Sequence, residues 1–280
     1  MLDLVVFTQY PLSHAPTRIN KEARNAHLKI QVFDYSKIKI VNKLPHSKSV
    51  ILREPDAKNN IYDLRDEILQ YYIKQNSKVL NSNSYLKWSV LDKKIQEIEF
   101  GKGNIPHIKS ENLKKLKYPF IVKASLGSHG DHVYKITNEK ELKNILEKYG
   151  KDNLIFQEFQ NVGFDLRVIV INFKAVGIMK RTPRRGEFLS NYSQGGKIEK
   201  YDGRDKSDIE KISILTAKHF KLDYVGVDLM KGNDGRWKVL EVNRACQFQG
   251  FEKATKINVA QRLLNWCILQ GIHEKNLSTS

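Results

Sequence analysis

The sequence predicts a mixed α/β (α+β) fold, in which a small parallel α/β unit precedes a longer, strand-rich part. Over residues 2–80, short apolar runs alternate with amphipathic helical segments, an order typical of a parallel sheet covered by helices. From residue 165 to residue 240 strand-like runs dominate, with one helical pattern over 207–220. The 280 residues suffice for one large domain or two to three small ones.

The first unit has the predicted order β-α-β-β-α-β. Its helices cover 15–28 and 61–75. Because no GxGxxG motif follows the first strand, we assign no dinucleotide to this unit. A helical segment is predicted over 85–100 and a loop over 101–106. The four strands are predicted at residues 4–7, 30–33, 50–52 and 78–80.

A second unit follows, with predicted strands at 120–123, 133–136 and 154–157 and a helix at 139–149. Asn138 is the predicted N-cap of that helix, because its side chain can accept from free N–H groups of the first turn. A last helix is predicted over 258–270. These elements divide the chain into an N-terminal α/β domain (1–84), a linker helix and central subdomain (85–160), a C-terminal subdomain (161–272) and a tail (273–280).

The composition is basic, with 48 lysines and arginines against 31 acidic residues and a net charge of +17. This charge favours an anionic partner, although solubility or non-specific attraction to nucleic acid explains it equally well. Two cysteines without a CxxC pair argue against a disulfide framework and a structural zinc site. With no signal-like start and no uncharged apolar run of about 18 residues, we expect a cytoplasmic protein without a membrane partner.

A metal-binding pattern lies near the C-terminal end of the chain. Asp228 belongs to one apolar strand, and Glu241 and Asn243 belong to the next, after a glycine-bearing turn at 232–235. Alternate side chains of a strand share a face, so Glu241 and Asn243 should lie together while Val242 enters the core. Two carboxylates and an amide oxygen suit Mg²⁺.

A phosphate-binding pattern surrounds Lys123, which ends a predicted strand before the glycine-bearing segment 124–130. Glycines let backbone N–H groups approach an anion, and the lysine adds a positive charge. The segment is not a Walker A loop, because no GKS or GKT follows, and a solvated glycine hairpin is the alternative. His129 and His132 lack a third ligand of suitable spacing for a metal site.

Polar residues also follow two later strands. Glu158 ends an apolar strand, where it either accepts hydrogen bonds from a nucleotide or is simply exposed. Asp165 and Arg167 share a strand face, either as an ordinary ion pair or as an arginine that its neighbour holds ready to neutralise a carboxylate or acyl phosphate. Arg181 belongs to a run of five positive charges over 174–185, which suits either a solvated surface or charge neutralisation at a phosphate site.

In their order and spacing these motifs resemble those of an ATP-grasp ligase, and among these the RimK-like group of glutamate ligases of the ribosomal-protein and lysine-biosynthesis type. The likeness extends over about residues 91–267, and Asp92-Lys93 fits the lysine-bearing helix start of the family. The motifs are PFIVK (119–123), QEF (157–159), GFDLR (163–167), KR (180–181), GEF (186–188), SN (190–191), GG (195–196), GVD (226–228) and EVN (241–243).

The resemblance implies an ATP-grasp fold with an N-terminal parallel α/β domain, a central lid subdomain and a C-terminal metal-binding subdomain. It implies ATP and Mg²⁺, with Mn²⁺ as a substitute, and a ligase that joins a carboxylate to an amine through an acyl phosphate. Together with the basic charge it suggests an acidic amino-acid or peptide substrate, such as a glutamate chain, or an acidic protein acceptor. A homo-oligomer remains an open alternative.

The resemblance also implies roles for individual residues. Arg167 would hold the acyl phosphate and Arg181 would face the phosphates. Asp228, Glu241 and Asn243 would bind Mg²⁺. The implied nucleotide-binding residues are Lys93, Lys123, Gln157, Glu158, Phe159, Asp165, Ser190 and Asn191.

The chain departs from the family pattern in three places. Leu189 stands where an arginine is usual, 193–194 replace a His-Arg pair, and 245–247 replace a Ser-Pro-Gly turn. Two alternatives to a ligase therefore stay open: a nucleotide-binding protein without turnover, and a basic module that binds RNA or the ribosome. Cys246 lacks the histidine and acid of a nucleophilic site, so a buried thiol is expected.

Overall fold

The structure is a computed structural model that describes residues 1–55, 61–126, 132–187 and 195–277, with side chains up to residue 268. Within these residues the fold is mixed α/β, as the sequence predicts, and it contains three sheets. The predicted domain boundaries remain predictions.

The first sheet is parallel and has the strand order β2-β1-β3-β4. Helices α1 (His14–Asn25) and α2 (Tyr62–Lys74) accompany it. The four apolar residues 4–7 are fully buried, as expected for a parallel strand covered on both faces. The predicted parallel α/β unit is thus confirmed, with strands β1 (Leu2–Thr8), β2 (Ile30–Asp34), β3 (Ser47–Leu52) and β4 (Lys78–Val79).

The helical segment predicted over 85–100 is wrong in one respect, because it is interrupted. Helix α3 covers Ser82–Lys87 and α4 covers Lys93–Lys102. Asp92 caps α4 by accepting a hydrogen bond from the Ile95 N–H at 2.8 Å, which fixes a new helix start. The predicted loop therefore begins only after residue 102.

The second sheet is antiparallel, with the order β6-β5-β7. Its strands are β5 (Phe120–Ala124), β6 (Val133–Ile136) and β7 (Leu154–Glu158), and helix α5 (Glu139–Tyr149) packs on its apolar face. The predicted N-cap is confirmed, because the Asn138 side chain accepts from the Glu141 N–H at 3.0 Å. Lys123 is opposite Ile155, and Gln157 is opposite Ile121, which lies on the same face as Lys123. Lys123 and Gln157 therefore share the face of the sheet that points away from α5.

The third sheet is antiparallel and has the order β10-β9-β8-β11-β12. One of its faces packs against helices α4 and α6, and half of the other packs against α7, α8 and the first sheet. The remaining half carries polar side chains. The elements are β8 (Asp165–Ile171), β9 (Lys174–Thr182), β10 (Lys197–Lys200), α6 (Lys206–His219), β11 (Tyr224–Lys231), β12 (Trp237–Asn243), α7 (Gln249–Thr255) and α8 (Val259–Leu277).

The hairpin of β11 and β12 contains a β-bulge. Asp228 is opposite Glu241, but the next residue, Leu229, is opposite Val239, so Leu240 has no counterpart. Val239 and Val242 both belong to the core that faces α6. The extra residue lets both valines be buried on one side while Glu241 lies on the other.

None of the helices in the described ranges combines the length and the apolar character that a bilayer crossing requires.

Candidate functional site

The polar half of the third sheet brings the three predicted metal ligands together. Asp228 is opposite Glu241, and Gly226 is opposite Asn243. The Asn243 Nδ2 donates to Glu241 Oε1 at 3.1 Å and to Asp228 Oδ2 at 3.5 Å. The convergence predicted from strand alternation is therefore present, and Val242 is buried as expected.

Two arginines reach Asp228, one from the adjacent strand β8 and one from β9, the strand beyond it. Arg167 is its cross-strand partner and donates from Nε to Oδ1 at 2.7 Å and from Nη2 to Oδ2 at 2.6 Å. Arg181 lies with Nη2 3.1 Å from the same Oδ2. Burial alone would raise the pKa of the Asp228 carboxyl, but the charges of Arg167 and Arg181 outweigh it and the pKa falls below its ordinary value.

Asp165 extends this network by one more ion pair. It is opposite Arg181 in the sheet, whose Nε donates to Asp165 Oδ1 at 2.5 Å. Two carboxylates and two guanidiniums thus alternate across three strands. The sequence suggested that Asp165 holds Arg167, but the bidentate partner of Arg167 is Asp228. The reason is that cross-strand neighbours on one face lie closer together than residues i and i+2.

The donor set fits a small hard cation such as Mg²⁺. Carboxylate and amide oxygens are the ligands that Mg²⁺ prefers. An ionised carboxylate offers about four lone-pair positions, so Asp228 retains acceptor capacity beside its guanidinium partners. The Asn243 amide directs Nδ2 toward both carboxylates, and rotating the amide by 180° would direct Oδ1 toward the same place, where it could bind a cation. Within the part of the chain that the structure describes, no three His, Cys, Asp or Glu side chains are grouped so that they could hold a metal ion by themselves.

Lys123 and Lys93 approach the cluster from the second sheet and from α4. Desolvation lowers the pKa of the Lys123 ammonium group to about 8, while Glu241 raises this pKa and Lys93 lowers it. These charges must therefore lie close to Lys123. Lys93 is the first residue of α4, and its N–H donates to the Ser125 carbonyl at 3.2 Å. The helix start is thereby fixed at the end of β5.

Of the other predicted nucleotide-binding residues, Asp165 belongs to the network, whereas the contacts of Gln157 and Phe159 lie elsewhere. The Gln157 side chain is buried and donates to the Ile108 carbonyl at 2.7 Å, and Glu158 is exposed. The Phe159 ring centroid lies 4.0 Å from the Lys135 Nζ. Ser190 and Asn191 lie outside the described residues.

Two buried arginines near the site were not singled out from the sequence. Arg244 follows Asn243 directly and donates to the Glu54 carboxylate at 2.7 Å and to the Trp88 carbonyl at 2.5 Å. Arg53 follows the last residue of β3. The sequence could have indicated Arg53, because it directly follows a predicted strand of a parallel sheet. Ligands of open parallel sheets bind at the carboxyl ends of the strands.

Comparison with known families shows that residues 89–267 match the model of the RimK-like ATP-grasp domain. This is more than half of the chain. The chain belongs to the RimK-like ATP-grasp family. The predicted resemblance is therefore confirmed, and the RimK-like ATP-grasp domain contains the whole carboxylate and arginine network.

Curated relatives of this RimK-like protein include proteins named probable alpha-L-glutamate ligase. The one from Legionella pneumophila is 33% identical over 152 residues, which are 53% of this chain and 49% of the relative. The one from Maridesulfovibrio salexigens is 32% identical over 152 residues, 53% of this chain and 50% of the relative. The chain thus spans about half the length of the curated relatives it matches.

Solved structures share the fold over nearly the whole chain. The ATP-grasp ligase PsnB, complexed with a phosphomimetic variant of its minimal precursor, Mg and ADP, superimposes with a TM-score of 0.75 at 20% identity, covering 96% of this chain and 99% of that one. The macrocyclase MdnC from Microcystis aeruginosa, bound with precursor peptide MdnA, gives 0.70 at 14% identity, covering 96% and 100%. The predicted ATP-grasp fold is thereby confirmed.

Proposed function

We propose that the protein is an ATP- and Mg²⁺-dependent carboxylate–amine ligase that forms a carbon–nitrogen bond and releases ADP and phosphate. The observation that carries this proposal is the network of Asp228, Glu241 and Asn243 beside Arg167 and Arg181. It combines hard-oxygen metal ligands with cations that suit carboxylates and phosphates. Membership of the RimK-like ATP-grasp family supports the proposal.

In this proposal the polar side chains of the third sheet and the two lysines near them have separate tasks. Asp228, Glu241 and Asn243 would hold Mg²⁺, with Mn²⁺ as a substitute, and the ion would supply positive charge for the phosphate oxygens. Lys123 and Lys93 bind the phosphate oxygens of ATP. Gln157, Glu158, Phe159 and Asp165, with Ser190 and Asn191, stay proposed as nucleotide contacts.

Arg167 is proposed as the group that orients the reacting carboxylate. Its Nε and Nη2 hold Asp228, which fixes the plane of the guanidinium, and among the described residues its Nη1 has no hydrogen-bond partner. Its side chain is 15% exposed. Nη1 is therefore available for a substrate oxygen, and Arg181 adds a second positive charge beside it. A protein catalyses phosphoryl transfer mainly by positioning the reactants and by neutralising their charge.

We propose an acidic substrate, namely glutamate or a similar amino acid that is added to an acidic peptide or protein acceptor. The net charge of +17 supports this choice. The relatives named probable alpha-L-glutamate ligase support it as well. A homo-oligomer and a cytoplasmic location remain proposals.

The experiment that tests this function is incubation of the purified protein with Mg-ATP, a panel of amino acids and acidic acceptor peptides. We expect ADP and phosphate release that depends on both substrates, and an acceptor mass increased by the added residue. Stoichiometric ATP binding without ADP release under any combination would contradict the ligase assignment. RNA binding that weakens steeply with salt and ignores ATP would contradict it in favour of a nucleic-acid module.

The pKa of about 8 for Lys123 predicts a proton uptake on nucleotide binding. Below pH 7 the Lys123 side chain is already protonated, whereas near pH 8.5 most of it is neutral. The negative charge of bound phosphates then favours the protonated form, so the side chain takes up a proton from the solvent when ATP binds. ATP affinity is therefore expected to fall by up to about tenfold per pH unit above pH 8. Calorimetry at pH 8.5 in two buffers of different ionisation enthalpy measures this uptake.

The matched variant for this measurement is Lys123→Arg, which keeps the positive charge at every pH used. It should show no proton uptake from this position and a flat pH dependence of ATP affinity. An equal uptake by the wild-type protein and by Lys123→Arg would show that another group titrates.

A further inference from the structure

Arg53 occupies a fixed position at the carboxyl edge of the first sheet. It directly follows β3, its N–H donates to the Phe7 carbonyl at 2.9 Å, and its carbonyl accepts from the Tyr35 hydroxyl at 3.0 Å. Only 6% of the residue is exposed. The backbone N–H and C=O of Arg53 are therefore both held in place, one by β1 and the other by the Tyr35 side chain.

The Arg53 guanidinium has no counter-ion in the described part of the chain. Its Nη2 donates to the Ala245 carbonyl at 2.8 Å, but among the described residues no carboxylate lies within 4 Å of it and neither Nε nor Nη1 has a hydrogen-bond partner. The nearby Arg65 and Arg244 differ, because each pairs with Glu54, at 3.1 and 2.7 Å. A buried cation without a paired anion is costly, so Arg53 is suited to an anion from outside the chain.

The position of Arg53 places such an anion beside the proposed reaction centre. Ala245 lies two residues after Asn243, and the next residue is Cys246. The Cβ of Cys246 and the Nε of Arg167 lie 2.7 and 3.7 Å from the point where a Cβ of Gly226 would stand. The segment that Arg53 contacts and the arginine that we propose for the reacting carboxylate therefore both border Gly226 on the same side.

Unpaired polar atoms continue along the same edge at the start of α1. Ser13 Oγ and His14 Nδ1 are buried and have no hydrogen-bond partner among the described residues. The His14 ring packs edge-on against Phe248, with ring centroids 5.6 Å apart. Arg53 and His14 thus contact the two ends of segment 245–248. This segment includes residues 245–247, which depart from the family pattern.

We propose that Arg53 binds a carboxylate of the substrate other than the reacting one, with Ser13 and His14 as additional hydrogen-bonding groups. A guanidinium pairs bidentately with a carboxylate through Nη2 together with either Nε or Nη1. Arg53 can form such a pair, because Nη2 has a second N–H beside its bond to Ala245 and because Nε and Nη1 are free among the described residues. The carboxylate is either the α-carboxylate or the side-chain carboxylate of an acidic amino acid or residue. The inference rests on the proposed ligase function and makes Arg53 a specificity-determining residue for it.

The test measures binding and turnover of three probes: glutamate, its α-amide and its side-chain amide, glutamine. The wild-type protein should prefer glutamate to one of the amides, and the disfavoured amide identifies the carboxylate that Arg53 holds. Arg53→Gln should raise the KM and the dissociation constant of glutamate by about 10-fold to 100-fold, remove the preference and leave Mg-ATP affinity unchanged. Arg53→Lys should recover part of the preference, because it keeps the charge.

The control is Arg24→Gln, since Arg24 is exposed on α1. It should leave all constants unchanged. A preference that persists in Arg53→Gln overturns the inference, and so does a wild-type protein that binds all three probes equally or binds none. If Arg53→Gln does not fold, the preference of Arg53→Lys relative to the wild-type protein decides instead.

The two proposals fail in different ways. Calorimetric binding of glutamate does not require turnover, so selective binding by the wild-type protein without ADP release would sink the ligase function and leave the carboxylate site standing. Turnover with unchanged selectivity in Arg53→Gln would support the ligase function and overturn the carboxylate site.

Discussion

Replacing Asp228 with asparagine is expected to lower turnover about 1,000-fold or more. The substitution removes a charged group that we propose as a metal ligand, and it removes the anion that orients Arg167 and Arg181. Metal-based charge stabilisation contributes several kcal/mol to a transition state, and about 4 kcal/mol corresponds to three decades in rate. ADP release at saturating Mg-ATP and substrate measures the loss.

Asp228→Asn should also destabilise the fold. The Asp228 carboxylate is 4% exposed and forms ion pairs with two arginines that are 15% and 5% exposed. Breaking a buried ion pair costs about 3 to 5 kcal/mol. Because the pKa of Asp228 is lowered in the folded state, its contribution is complete above the unfolded-state pKa and disappears as the pH falls through the folded-state value.

Glu241→Gln separates the two effects. Glu241 is only half-buried and accepts a hydrogen bond from Asn243, and among the described residues it forms no ion pair with an arginine. We expect this variant to lose turnover to a similar degree while its melting temperature stays within about 2 °C of the wild-type value. Full activity of Glu241→Gln would refute the proposed metal site.

Replacing Arg65 with methionine is expected to cause the largest loss of stability outside the site. Its side chain is fully buried and pairs with Asp66 at 2.6 Å and with Glu54 at 3.1 Å. Its guanidinium also lies 4.6 Å from the centre of the Tyr85 ring. Methionine fills similar space but leaves both carboxylates without this cation, which costs about 3 kcal/mol.

Thermal unfolding measures the Arg65→Met effect, and a decrease of roughly 6 to 12 °C corresponds to about 3 kcal/mol in a chain of this size. The matched control is Arg24→Met, which removes an exposed arginine from α1 and should shift the melting temperature by less than about 2 °C. Equal shifts in the two variants would show that the buried cluster contributes nothing specific.

Local patterns predicted the parts of the structure that depend on neighbours in sequence. The two-residue period of β12 placed Glu241 and Asn243 on one face, and the position of Asn138 before an amphipathic helix identified its N-cap. Both depend on a few consecutive residues. The same reasoning failed between α3 and α4, where residues 88–89 leave the helix and their carbonyls accept from Arg244, about 155 residues away in sequence.

The site could be predicted only as far as the strands that contain it. The pairing of Asp165 with Arg181 depends on the turn between β8 and β9, where Asn172 and Phe173 both have positive φ. A phenylalanine at such a position is not a recognisable turn signal. Arg53 illustrates a second limit, because the absence of a counter-ion among the described residues appears only once segment 245–248 is packed against β3.

The β-bulge between β11 and β12 limits which insertions and deletions this hairpin tolerates. Loop insertions at 232–235 would leave the strand faces unchanged, because they lie outside the ladder. Losing the unmatched Leu240 would make the ladder regular, and either Val239 would then turn toward the cleft or Glu241 would turn into the core. The extra residue in β12 must therefore be kept. Deleting this single residue would disturb the site and the core more than a longer insertion at 232–235 would.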